Sequence, residues 1–300
     1  MSPEVKTIRI DHAVFQQTLE KKLADLPPLP VVVTKIMQTI NNPNTSAEDL
    51  NRLISLDQSL SSKILRIVNS AYYGFPKRIG TITHAVVILG FNTVRNLVLG
   101  VSAFGMLSQK SGQAAINRNM LWEHSVATAV AASLLAKKMN PRTRNILEEA
   151  FIGGLLHDIG KLFLDCYFPM QYGVTMAYAS RNEITILEAE QKVLDIDHAY
   201  IGRKIAEQWN FPSTLVASIG AHHVPMHGTE HFESSAIINA ADWIAWQQNK
   251  GSFDQSGAPK MSQETSDLLE YTDEEMNWVF REWERQFAAA HELIKSGITS

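Results

Sequence analysis

The sequence predicts an all-α protein, and three observations support this fold class. Apolar residues recur at three- and four-residue spacing along most of the 300 residues, which is the period of a helix with one buried face. No segment shows the sustained alternation of apolar and polar residues that is typical of a half-exposed strand. Proline, glycine and asparagine separate the periodic segments, as expected for the ends of helices.

Proline and asparagine residues mark the ends of the first predicted helices. The run Leu26-Pro-Pro-Leu-Pro30 ends one segment and begins the next, since proline suits the first turn of a helix, and we expect a helix at about 31–40. Asn41 to Asn44 ends it, and Thr45-Ser-Ala-Glu48 is predicted to be the capping box of the next helix. Two further apolar faces are predicted to point into one core. They comprise Leu60, Ile64, Ile67, Val68 and Ala71, and Val94, Leu97, Val98 and Val101.

The second half of the chain is predicted to hold more helices. Ser108 to Gly112 is the predicted junction between the halves, because it is short, polar and ends in glycine. Helices are then expected at 119–138, 145–165, 183–191, 197–209, 213–221 and 233–247, with a loop at 250–264. Thr272-Asp-Glu-Glu275 is a further predicted capping box. The helix after it carries an apolar stripe that we expect to dock on the body of the protein, although it also permits a homodimer. The stripe comprises Met276, Val279, Phe280, Trp283, Phe287 and Ile294.

These boundaries predict four parts of the chain. An N-terminal extension covers 1–19, an N-terminal helical half covers 20–110, a second helical half covers 111–247, and a loop with a C-terminal helical segment covers 248–300. No internal repeat is recognisable. The two halves are expected to pack against each other, because the junction between them is short.

Composition limits the classes of partner. The 27 basic and 31 acidic residues give a net charge of −4, so nothing in the charge predicts binding to duplex DNA or to an anionic membrane. Lys63, Arg66, Lys77 and Arg78 are expected to be a solvated surface rather than a nucleic-acid site. Cys166 is the only cysteine, and we expect it to be a small buried residue. With no disulfide, no signal-peptide pattern and no long apolar stretch, the protein is expected in the cytoplasm.

Histidines and aspartates of the second half are the residues that carry chemistry. They are His124, His157, Asp158, His198, His222, His223 and Asp242. The gaps between these groups place each on a different helix, as in metal centres built inside helical bundles. Imidazole and carboxylate ligands suit Fe, Mn, Ni, Co or Zn, and seven ligands exceed the need of one tetrahedral ion. The sequence therefore predicts one or two transition-metal ions, with Asp158 as the bridge of a pair.

Two further predictions concern residues near these ligands. Lys161 lies one helical turn after His157 and is expected to share its face, where its positive charge would meet a phosphate. Lys161 and Asp158 are thus the candidate catalytic residues. In contrast, His227 and His231 are expected to be solvated rather than to bind metal.

The run Leu156-His-Asp-Ile-Gly-Lys161 resembles the signature of the HD superfamily of metal-dependent phosphohydrolases. The resemblance implies that His124 is the upstream histidine of that superfamily and Asp242 its distal aspartate. It also implies that His198, His222 and His223 match positions that the bimetallic HD-GYP branch adds. The loop after His223 departs from that branch, because it reads Val224-Pro-Met-His-Gly228 in place of a Glu and a Gly-Tyr-Pro loop.

The N-terminal half is similar to the pattern of bacterial HDOD proteins. The similar segments are 26–30, 54–57, 63–74 and 82–90, and the resemblance covers roughly 20–245. It implies an HD-domain-like multi-helical bundle with an N-terminal helical subdomain. It also implies a signal-transduction module that acts as a regulatory or protein-interaction output domain, with a signalling protein or a nucleotide as its partner. The alternative is a metal-dependent phosphohydrolase or phosphodiesterase acting on a nucleotide or a cyclic dinucleotide.

Overall fold

The computed structural model describes residues 10–39, 45–70, 72–108, 114–139, 144–248 and 257–290. Within these ranges the regular secondary structure consists of sixteen α-helices, and no strand occurs among them. The prediction of an all-α protein is therefore confirmed. No helix in this part of the chain is both long and apolar enough to cross a bilayer.

Six helices form the N-terminal half. They are α1 (His12–Ala24), α2 (Val31–Gln38), α3 (Ala47–Ile54), α4 (Gln58–Val68), α5 (Ile82–Leu89) and α6 (Phe91–Ser108). Helix α2 begins directly after Pro30, as predicted. Both predicted apolar faces are buried in α4 and α6, apart from Ala71, which lies outside the described residues, as do Asn41 to Asn44.

The capping box of α3 lies one residue later than predicted. The Ser46 hydroxyl accepts a hydrogen bond from the backbone N–H of Asp49 at 3.1 Å, and the Asp49 carboxylate accepts one from the backbone N–H of Ser46 at 3.0 Å. Thr45 instead donates its hydroxyl to the carbonyl oxygen of Thr39 at 3.1 Å. The prediction from Thr45 and Glu48 was wrong because both Thr-x-x-Glu and Ser-x-x-Asp fit the pattern of a capping box.

Ten helices follow in the remainder of the chain. They are α7 (Arg118–Lys138), α8 (Arg144–Leu156), α9 (Ile159–Tyr167), α10 (Pro169–Asn182), α11 (Ile186–Val193), α12 (His198–Gln208), α13 (Ser213–Gly220), α14 (Phe232–Gln247), α15 (Gln263–Leu269) and α16 (Asp273–Ala289). Several bounds differ from the predictions. The helix expected at 145–165 is two helices, the one expected to begin at 183 begins at Ile186, and α15 begins inside the loop expected at 250–264.

Helix α7 lies at the centre of the second half. It packs against α8, α14 and α16, while α12 packs against α9 and α13. The predicted C-terminal stripe docks on the body, since Val279 and Trp283 of α16 are buried and the Trp283 indole N–H donates to the carbonyl oxygen of Ala127 at 3.0 Å. Met276, Phe280 and Phe287 are partly buried against the same core. Ile294 lies outside the described residues.

The two halves share one apolar core, in which buried residues from α1 to α16 form a continuous cluster. Most of the predicted junction, 109–112, is outside the described residues. Beside it, the buried Asp165 carboxylate accepts hydrogen bonds from the N–H groups of Ala115 and Ile116 and from the guanidinium of Arg118. Cys166 is partly buried and donates its thiol to the carbonyl oxygen of Leu107. The halves therefore pack closely, and the four-part division of the chain stays a prediction.

Candidate metal centre

The structure brings all seven predicted ligands and Lys161 into one cluster. Helix α7 supplies His124, the turn between α8 and α9 supplies His157 and Asp158, α9 supplies Lys161, α12 begins with His198, the turn after α13 supplies His222 and His223, and α14 supplies Asp242. Apart from His223, which is half-buried, none of these eight residues is more than 6% exposed. The cluster is therefore held inside the second half, close to its packed core.

A break in the predicted helix 145–165 places His157 and Asp158 between α8 and α9. The His157 ring donates from Nδ1 to the carbonyl oxygen of Gly154 at 2.7 Å, and Asp158 is the N-cap of α9, whose Lys161 N–H bonds back to the Asp158 carbonyl. The break was not predicted because apolar residues continue on both sides of it without a proline or a change of period. It directs the side chains of two successive residues into the same site.

Asp158 lies between two groups of histidines. Its Oδ2 atom is 3.5 Å from His124 Nε2 and 3.4 Å from His157 Nε2. Its Oδ1 atom is 3.2 Å from His198 Nε2 and 3.9 Å from His222 Nε2. Each carboxylate oxygen thus faces a different group, which is the arrangement that a ligand shared by two ions requires.

The first group consists of His124, His157 and Asp158, whose candidate ligand atoms all lie within 4.8 Å of one another. The Nε2 atoms of the two histidines are 3.3 Å apart. Asp242 joins this group, because its Oδ1 atom is 3.2 Å from His124 Nε2 and 3.8 Å from His157 Nε2. Two imidazoles and two carboxylates therefore converge on one point.

The second group consists of His198, His222 and His223, again with candidate ligand atoms within 4.8 Å of one another. The Nε2 atoms of His198 and His223 are 2.8 Å apart. The His222 ring donates from Nδ1 to the carbonyl oxygen of Ile219 at 2.8 Å, so its Nε2 carries the lone pair. That Nε2 is buried and has no hydrogen-bond partner in the described part of the chain. Buried polar atoms normally have a partner, and a metal ion would supply one.

Burial and charge give four of the seven candidate ligands the protonation state that a metal ion needs. Burial lowers the pKa of His157 and lowers that of His222 to about 3, so both rings are neutral near pH 7. Burial opposes ionisation of Asp242, but the hydrogen bond and charge of His124 lower its pKa to about 2. Burial also opposes ionisation of Asp158, but the charge of Lys161 and the hydrogen bond from His198 nevertheless hold its pKa well below the usual range. The carboxylates are therefore ionised.

Glu190 is a residue of the site that sequence reasoning missed. It lies on the buried face of α11, and its Oε2 atom is 2.6 Å from His198 Nδ1. Burial acts to lower the pKa of His198, but the charge of Glu190 and hydrogen bonds to Glu190 and Asp158 raise it to about 9. The signal that would have found Glu190 is an acidic residue beside Ala189, on the apolar side of an amphipathic helix.

Gly160 permits the close approach of α9 and α12. A Cβ atom at this position would overlap the carbonyl oxygen of His198, and one at Gly202 would lie 2.7 Å from a methyl group of Ile219. Because neither helix carries a side chain at this contact, the first turn of α12 lies directly against α9. This contact positions His198 next to Asp158. In the sequence the two glycines were visible, but their proximity was not.

The structure also places Lys161 and the two remaining histidines of this region. The Lys161 ammonium is buried and lies 2.8 Å from Asp158 Oδ2. It reaches the site as the third residue after Asp158 on α9, since the helix that would have joined it to His157 is broken. His227 is exposed and packs against the ring of Phe232, and His231 pairs with the Ser213 hydroxyl at 2.8 Å. Neither belongs to a metal-ligating group among the described residues.

Comparisons with known proteins agree with this architecture. A model of the HDOD domain matches residues 26–225. An "Uncharacterized protein" of Treponema pallidum (strain Nichols) is 31% identical over 217 residues, which is 72% of this chain and 41% of the relative. This chain thus spans about two fifths of that relative's length.

Two crystal structures share the fold. A "Putative phosphohydrolase" from Shewanella amazonensis SB2B has a TM-score of 0.72 and 24% identity, with 94% of this chain and 98% of that chain covered. A "Putative signal transduction protein" from Marinobacter aquaeolei VT8 has a TM-score of 0.77 and 21% identity, with 99% of this chain and 68% of that chain covered. At these identities the likeness concerns the fold.

Proposed function

This chain belongs to the HDOD domain family, and from that premise we propose that it is a metal-binding output module of bacterial signal transduction. The observation that carries the proposal is the position of Asp158, whose two carboxylate oxygens each face a separate group of buried histidines. Uncompensated burial of so many polar groups costs free energy, which favours a bound ion as their partner.

The residues present fit two transition-metal ions. One ion would be held by His124, His157, Asp242 and Oδ2 of Asp158, and the other by His198, His222, His223 and Oδ1 of Asp158. Nitrogen and oxygen ligands of this kind suit Fe, Mn, Ni, Co or Zn. The Nε2 atom of His222 supports this assignment, because it carries a buried lone pair that has no hydrogen-bond partner in the described part of the chain.

The positions of the candidate ligands in the chain support a regulatory role. They lie on α7, on the turn between α8 and α9, on α12, after α13 and on α14, so ions at this site would cross-link helices that are otherwise joined by side-chain packing. Ligands that bind one conformation shift a protein toward it. We propose that metal or nucleotide occupancy changes a surface that a signalling protein recognises. Formation of a homodimer also stays a proposal. The apolar stripe on α16, which suggested a homodimer, packs against α7 within the chain.

A second candidate function is a metal-dependent phosphohydrolase acting on a nucleotide or a cyclic dinucleotide. Lys161 favours it, because its buried ammonium lies 2.8 Å from Asp158 Oδ2, where a transferred phosphoryl group would meet it. Paired ions supply an activated water and bind phosphoryl oxygens when they are present. The near-complete burial of the site favours a metal ion as its occupant, since a phosphodiester substrate or a nucleotide would need an opening to reach Asp158.

Metal content is the first test of the proposed function. Elemental analysis of protein purified without chelators should find up to two transition-metal ions per chain, and hydrogen exchange should slow in α12 and α14 when metal is added. A folded, metal-free protein that takes up no added ion would refute the metal centre. Hydrolysis of cyclic dinucleotides or nucleotides that is lost in Lys161→Ala, with metal content unchanged, would favour the enzyme. Metal-dependent exchange without hydrolysis would favour the regulatory module.

A further inference from the structure

Glu190 holds His198 by two separate contacts from one carboxylate oxygen. Its Oε2 atom is 2.6 Å from the ring Nδ1 of His198 and accepts a hydrogen bond from the backbone N–H of the same residue at 2.9 Å. Glu190 is fully buried in α11. Because His198 is the first residue of α12, its backbone N–H has no partner within the helix. The carboxylate therefore orients both the backbone and the ring of one candidate ligand.

The acceptor at His198 differs from those at two other histidines of the site. His157 and His222 donate from Nδ1 to the backbone carbonyls of Gly154 and Ile219, which are neutral acceptors. A carboxylate acceptor fixes the same tautomer. Its negative charge also makes the other ring nitrogen, Nε2, more basic and therefore a stronger ligand for a metal ion. The Nε2 atom of His198 is directed at Asp158 Oδ1, 3.2 Å away.

We infer that Glu190 is a positioning residue of the metal centre and sets the affinity of one of its two ion positions. The inference rests on the proposed metal centre. The affected ion position is the one at the second group, to which His198 belongs. Its Nε2 atom is 2.8 Å from His223 Nε2, and His198, His222 and His223 form one cluster of candidate ligands. Glu190 acts through His198, whereas His124, His157 and Asp242 form the other group. Loss of the Glu190 charge should therefore weaken one ion and spare the other.

The test is a titration of Mn²⁺ into the metal-stripped full chain, with binding measured by calorimetry and equilibrium dialysis. Wild type should bind two ions. In Glu190→Gln the affinity for one ion should fall by roughly 10- to 100-fold, as is typical when a partner of a metal ligand is removed, and the affinity for the other should stay within about twofold of wild type. The matched control is Glu188→Gln, because Glu188 lies on the same helix but is exposed and only caps its start. Its affinities for both ions should equal those of wild type.

Two further variants separate positioning from general support of the fold. If Glu190 acts through His198, Glu190→Gln should lower the affinity no further in a His198→Ala background. Glu190→Asp keeps the charge but shortens the side chain by one methylene, so it tests distance if Glu190→Gln does not fold. In the folded variants, the visible spectrum of bound Co²⁺ should change for one ion only.

The outcomes distinguish this inference from the proposed function. A wild-type protein that binds no Mn²⁺ or Co²⁺ would overturn the metal centre and the inference with it. A wild type with two ions and a Glu190→Gln variant with the same two affinities would overturn only the role of Glu190. Equal weakening of both ions, or a full additional loss in the His198→Ala background, would show that Glu190 merely supports the fold.

Discussion

Replacing Asp158 by Asn is the sharpest perturbation of the proposed metal centre. Asparagine has nearly the same volume, but its amide offers one acceptor oxygen and one donor NH₂ group where the carboxylate offers two acceptors. Since Oδ1 and Oδ2 face different groups of histidines, the NH₂ group must point at one of them. The substitution also removes the negative charge beside Lys161, whose Nζ lies 2.8 Å from Oδ2.

The expected magnitudes follow from this geometry. Breaking a buried ion pair by removing one partner costs about 3–5 kcal/mol, so the metal-free variant should be less stable than the metal-free wild type by that amount. An ion at 100 times its Kd stabilises the folded state by about 2.7 kcal/mol. With an unfolding entropy of roughly 0.6 kcal/mol per kelvin for 300 residues, each ion should raise the Tm of wild type by about 4 °C.

The assay is thermal unfolding of metal-stripped protein with and without saturating Mn²⁺. Wild type should shift by about 9 °C for two ions, whereas Asp158→Asn should shift by less than about 4 °C because at most one group remains competent. Elemental analysis of the same samples gives the number of bound ions. A variant that keeps both ions and the whole thermal shift would refute the assignment of Asp158 as the shared ligand.

Three other substitutions test the packing around the site. Gly160→Ala should lower stability by about 1–3 kcal/mol and remove one bound ion, because the new methyl group would overlap the backbone of α12. The control Gly105→Ala, with no atom within 4 Å of the new methyl group, should instead raise the stability in urea by up to about 1 kcal/mol. Asp165→Asn weakens a buried acceptor of three hydrogen bonds and should lower the free energy of unfolding in urea. A decrease of less than about 1 kcal/mol would contradict the role of Asp165 beside the junction. Trp283→Phe removes the N–H that joins α16 to α7. It should lower the free energy of unfolding by about 1 kcal/mol and speed hydrogen exchange in α16. Unchanged exchange would contradict the docking of α16 on α7.

Much of the site was predictable because its signal is chemical and local. A histidine or aspartate can bind metal wherever it lies, so the order of His124, His157-Asp158, His198, His222-His223 and Asp242 was sufficient to propose a centre. The gaps between them indicated several helices. All seven lie in one cluster, and their role as ligands stays a proposal.

Residues that act through distant neighbours were not predictable in this way. Glu190 is one acidic residue among many in the sequence, and its importance follows only from its contact with His198 across the turn between α11 and α12. Gly160 is similar, because the need for a missing side chain depends on the backbone of α12. The break between α8 and α9 also escaped prediction, since apolar residues continue on both sides of it without a proline.

The sequence by itself determined the helical fold class and the chemical identity of the candidate ligands, because periodicity and side-chain chemistry are properties of short segments. Tertiary structure decided how those ligands divide into two groups, with one oxygen of Asp158 facing each. It also decided that Glu190 and Gly160 lie against His198. These relations depend on distances between helices far apart in the chain, and such distances are set by the packing of the whole core.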